Sequence, residues 1–67
     1  MLNLEHTNDI TEARAMDAIF DACRANETRQ PKNGVTFRLL VNGNHEAALR
    51  DASGVVVALA EVDPLDV

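Results

Sequence analysis

Few residues in this 67-residue chain have the types and spacing to do chemistry: His6 and His45, the single cysteine Cys23, the single serine Ser53, and the carboxylates Asp17 and Asp21. A nucleophile needs an activating group within hydrogen-bond reach, and a general base needs an environment that brings its pKa near the working pH. Cys23 falls on an apolar arc beside Phe20, where a free cysteine packs as a small hydrophobe instead of ionising. Ser53 belongs to an Ala-Ser-Gly turn, and no second serine stands in for it. His45 opens a strand and faces Glu61 in the register derived below, as cross-strand polar pairs commonly do. Asp17 and Asp21 lie one helical turn apart, near enough to share a cation. Arg14 and Arg24 flank them, so a solvated, ion-paired face is expected instead. No Cys/His set has zinc spacing, and no glycine pattern cradles a phosphate after a strand. The expectation is therefore no catalytic residue, no metal and no cofactor.

Eleven acidic residues against six basic give a net charge of −5. That charge repels nucleic-acid phosphate and suits a protein partner with a basic surface, besides keeping a small protein soluble. Met1 is followed at once by polar residues, with no basic and apolar leader pattern and no apolar run near the roughly 20 residues that span a bilayer. A cytoplasmic protein away from the membrane is expected.

A chain of 67 residues has room for one domain, taken as residues 1–67. So short a chain buries only about 60% of the surface its unfolded form exposes, and small scaffolds commonly add a disulfide, a metal or a partner. One cysteine excludes an internal disulfide, which leaves association.

The elements that must position these residues are α+β in class: one helix packed on a three-stranded antiparallel meander, with a short additional strand at Met1 to His6. Asp9, with Glu12 three positions on, predicts a helix over 10–26. At about 100° per residue, Ala13, Met16, Ile19, Phe20 and Cys23 share the arc expected to be buried. Ala15, Ala18, Ala22 and Ala25 form a separate arc, expected to be filler on an exposed helix. Residues 27–34 read as a loop, 35–41, 45–51 and 55–62 as strands, and 63–67 as a frayed tail.

Register decides which side chains face out. A three-residue loop at 42–44 pairs Val41 with His45, Leu39 with Ala47 and Phe37 with Leu49, and keeps Glu46 out of the core. A second one at 52–54, closed by Gly54, pairs Leu49 with Val57 and Ala47 with Leu59. The outer face then displays Thr36, Arg38, Leu40, Glu46, Ala48, Arg50, Val56, Ala58, Ala60 and Val62. An apolar strip rimmed by charge marks a contact surface. Asp17 and Asp21, with Glu12, form a second, acidic surface suited to steering a basic partner.

These surfaces predict a non-enzymatic protein-binding module that occludes part of a larger protein, such as one that handles nucleic acid. In size and charge the chain is similar to the small acidic inhibitors that phages use against host defence, such as anti-CRISPR proteins. The alternative is a homodimeric structural or assembly subunit whose sheet faces pair.

Overall fold

Thr11, not Asp9, starts the helix. Its hydroxyl accepts a hydrogen bond from the Arg14 amide at 3.2 Å, satisfying one of the unpaired donors of the first turn. The Asp9 amide instead donates to the Thr7 hydroxyl at 3.3 Å, in the turn that leads in. The structure is a computed structural model that describes residues 2–27 and 34–63. Its elements are β1 (Leu2–His6), α1 (Glu12–Glu27), β2 (Val35–Leu39), β3 (His45–Arg50) and β4 (Val56–Val62). Most of the expected 27–34 loop, and the tail beyond Asp63, lie outside the described residues.

The four strands form one antiparallel sheet in the order β1-β4-β3-β2, so the N-terminal strand is present and closes the sheet beside the last one. The helix covers one face. Its buried residues Ala15, Ile19 and Cys23 meet Ala47 and Leu49 of β3 and Val57, Ala58, Ala60 and Val62 of β4, with Leu4, Val35 and Phe37 packed at the margins.

Both hairpin loops hold three residues, as their composition predicts. The second is Ala52 to Gly54: the Gly54 amide donates to the Asp51 carbonyl at 3.0 Å, and Gly54 has φ +87°. The first lies one residue earlier than expected, at Val41 to Gly43, bracketed by the 2.8 Å bond from the Leu40 amide to the Asn44 carbonyl. Sliding that loop by one position shifts the pairing by two. Val35 therefore faces Leu49, Phe37 faces Ala47 and Leu39 faces His45. Each side chain keeps its predicted face, because the strand period is also two.

Two further expectations are overturned. Between Arg50↔Val56 and Leu49↔Ala58 the ladder skips Val57, a β-bulge that puts two residues of β4 against one of β3. Leu49 faces Ala58 and Ala47 faces Ala60, where Val57 and Leu59 were expected. Beyond the bulge every β4 side chain is on the face opposite to the predicted one: Ala58, Ala60 and Val62 are core, and Leu59 and Glu61 point outward. The helix is also turned on its axis. Met16 and Phe20 are 36% and 40% exposed, whereas Ala15, Ile19 and Ala22 are buried. The two corrections share a cause. With Ala47, Ala58 and Ala60 lining the inner face of the sheet, the close fit comes from the alanine arc of the helix, which lets the two backbones approach.

Candidate interaction surface

The residues able to do chemistry are not brought together. Nδ1 of His6 lies 3.0 Å from the carbonyls of both Thr7 and Ile10, so its proton is committed to the turn before the helix. His45 is half-buried and pairs with Leu39 and Val62, not with Glu61. Cys23 is buried, and burial pushes its thiol pKa up, away from thiolate chemistry. Ser53 donates its hydroxyl proton to Asp51 at 2.8 Å within its turn. Asp21 pairs with Arg24 on the helix surface, and Asp17 is exposed. Among the described residues no group of three His, Cys, Asp or Glu side chains could hold a metal ion. Nor is any described helix long and apolar enough to cross a membrane.

What the fold does organise is the face of the sheet away from the helix. Pairing sets the outward residues in rows across the strands. One row runs Thr36, Ala48, Leu59 and Glu5, from β2 to β1. The next holds Arg38, Glu46 and Glu61, and on the other side Arg50 stands beside Val56. Ala48 is only 8% exposed although no helix lies over it, so it forms the floor of a trough between taller neighbours. Val56 and Leu59 are half-buried beside it, and Leu40 is half-buried further along, just past the end of β2 and beyond Arg38. A shallow depression of about 170 Å³ opens beside this strip, against Asn3, Glu5, Leu40, Glu46, Leu59 and Glu61.

The charges on this face differ in how they are held. Arg38 donates to Glu46 at 3.2 Å across the β2–β3 pair. Glu61 accepts from the side-chain amides of Asn44 at 2.8 Å and Asn42 at 3.4 Å, which ties it to the first hairpin loop. Arg50 donates to the Gly54 carbonyl at 3.1 Å. Among the described residues the ion pairs are Arg24–Asp21 and Arg38–Glu46, so the Arg50 guanidinium has no carboxylate partner there.

Of the residues expected to form a contact surface, Arg38, Leu40, Glu46, Ala48, Arg50 and Val56 are on this face. Ala58, Ala60 and Val62 are not: they are at most 7% exposed, in the core beneath the helix, because of the bulge. Asp17 and Asp21 are on the helix and separate from it. Leu59, Glu61 and Glu5 belong to the outer face and were missed. Glu61 carried the signal, since an unbulged ladder puts its carboxylate under the helix with Val57 and Leu59. Compared with known proteins, the chain matches no protein-family model, no curated protein and no solved structure.

Proposed function

We propose that this chain is a non-enzymatic protein-binding module whose working surface is the outer face of its sheet. One observation carries this: the apolar strip floored by Ala48 and walled by Val56 and Leu59 continues past Glu46 to Leu40, is edged by Arg38, Arg50, Glu46 and Glu5, and lies on a face that no element of the described chain covers. Apolar surface bordered by charge is the usual anatomy of an interface, with a dry centre and a polar rim. The scattered positions of His6, His45, Cys23 and Ser53 favour binding over catalysis, because no two of them share a site.

Two finer readings use this surface. The first is occlusion of a larger protein, in the manner of a small acidic phage inhibitor such as an anti-CRISPR protein, and the net charge of −5 favours a basic target. The second is an assembly subunit that pairs with its own copy, and the mixed signs on β3 favour that one.

The test uses two charge insertions. Leu59→Arg places a charge in the trough, whereas Ala13→Arg places one on the exposed side of the helix. Association with any protein, the chain's own copy included, is expected to be lost with the first and kept with the second. Association that survives Leu59→Arg in a folded chain overturns the assignment of this face.

A further inference from the structure

The outer face of β3, an inner strand of the sheet, presents Glu46, Ala48 and Arg50 at alternate positions: one negative, one small, one positive. A two-fold axis lying between two such faces, at right angles to the strands and passing through Ala48, reverses this order. Each Arg50 is then carried over the other copy's Glu46, and Ala48 lies opposite Ala48. We propose that the occupant of the outer face is a second copy of this chain, packed sheet to sheet about that axis. The inference rests on the outer face being the working surface and names its partner.

Three further features agree with it. Arg50 has no carboxylate partner among the described residues, and its one recorded acceptor is the neutral Gly54 carbonyl. The pairing supplies that carboxylate. Glu46 is half-buried and held in place by Arg38, so it is ordered to receive a second guanidinium. The same axis lays Leu59 on Leu59 at the centre; it also brings Glu5 over Glu5, a like-charge pair at the solvated rim, on the edge strand, where screening weakens the repulsion. Glu61 is not called upon, because Asn42 and Asn44 already hold it.

A face four strands wide and about six residues long covers about 400 Å² per copy, from ~4.8 Å between strands and ~3.4 Å per residue. That total of about 800 Å² lies below the roughly 1,200 Å² of a stable interface, so the pair is expected to be weak and transient, and it is sought between about 10 μM and 1 mM.

Sedimentation equilibrium of the full chain over that range tests the pairing, with circular dichroism to show that each variant is folded. Arg50→Glu leaves two carboxylates on β3, and Glu46→Arg leaves two guanidiniums. Each variant alone is expected to dimerise at least about tenfold more weakly than the wild type, since two attractions become two repulsions. Mixed in equal amounts they are expected to pair, because every carboxylate of one now faces a guanidinium of the other. A wild-type chain that is monomeric throughout, or folded variants that fail to pair on mixing, would overturn the inference. Failure here with a different protein still lost on Leu59→Arg leaves the outer face as the working surface and removes only the second copy. Association indifferent to Leu59→Arg removes both.

Discussion

Leu49 faces Ala58, not Val57, and that one-residue displacement sets the inner surface of the whole protein. Val57 is the bulged residue and is itself buried, so β4 contributes it and Ala58 to the core at adjacent positions. From there on the small and β-branched residues Ala60 and Val62 turn in and Glu61 turns out.

The rotated helix has a measurable consequence. Ile19 is fully buried and Phe20 is 40% exposed, so the aliphatic side chain, not the aromatic one, anchors α1. Ile19→Ala is expected to cost about 2–5 kcal/mol in urea unfolding, enough to unfold a domain this small. Phe20→Ala should cost about 1 kcal/mol. The reverse order would show that Phe20 lies beneath the helix after all.

Two glycines with φ in the left-handed region should respond differently to alanine. At Gly54, with φ +87°, an added Cβ meets nothing within 4 Å, and only the backbone preference is lost, about 1 kcal/mol. At Gly34, with φ +68°, the Cβ would sit 2.9 Å from the Arg50 carbonyl oxygen, against backbone that cannot rotate away. The Arg50 amide also donates to the Gly34 carbonyl at 3.1 Å, so relieving the clash disturbs the start of β2. Gly34→Ala is therefore expected to lower the urea midpoint more than Gly54→Ala. Equal shifts would mean that this contact relaxes without cost.

Acid sensitivity should be traceable to Asp51. Its carboxylate accepts from the Ser53 hydroxyl at 2.8 Å, the Val55 amide at 3.0 Å and the Ser53 amide at 2.9 Å, and these bonds hold its pKa below the usual carboxylate value. A folded pKa below the unfolded one stabilises the fold above the unfolded value, near about 4. That contribution is lost as pH falls through the folded pKa. Asp51→Asn keeps an acceptor oxygen but not the charge. Its thermal midpoint should lie below the wild-type midpoint at pH 7 and converge with it in acid. A gap that stays constant with pH would assign the effect to geometry instead of ionisation.

How far the sequence specifies this structure can be followed residue by residue. Alternation at Val35, Phe37 and Leu39, and Gly54 closing the second loop, are local signals, and they fixed the strands, that turn and the faces of β2 and β3, whereas the first turn was expected one residue too late because Gly43, not Asn44, closes it. On β4 the run Val55-Val56-Val57 is apolar at both parities, so alternation there is silent about which residue is skipped. The helix misled for a related reason. Hydrophobicity ranks Met16 and Phe20 above Ala15 and Ala22, but the buried face is decided by the space the sheet leaves, and the bulge makes that space shallow. On the outer face, Arg38, Glu46, Ala48 and Arg50 were legible because they precede the bulge, whereas Leu59 and Glu61 follow it.

The bulge itself can be removed. Deleting Val57 leaves Val56 opposite Arg50 and brings Ala58 next to it, opposite Leu49, which is the partner Ala58 already has. Every later pair, Leu59 with Ala48 through Val62 with His45, is unchanged. The deletion thus forfeits one buried valine, about 1.5–3 kcal/mol, and the 2.9 Å bond from the Thr7 amide to the Val57 carbonyl, but no side chain changes face. Deleting Leu59 removes the same number of residues from the same strand, yet it sends Ala60 and Val62 outward and Glu61 under the helix, with its carboxylate unpaired. The Val57 deletion is expected to remain folded at low temperature, with NMR contacts between the Ala60 and Ile19 methyl groups retained, and the Leu59 deletion to give an unfolded spectrum. If the Leu59 deletion folds as well as the Val57 deletion, the bulge does not determine which face of β4 is buried.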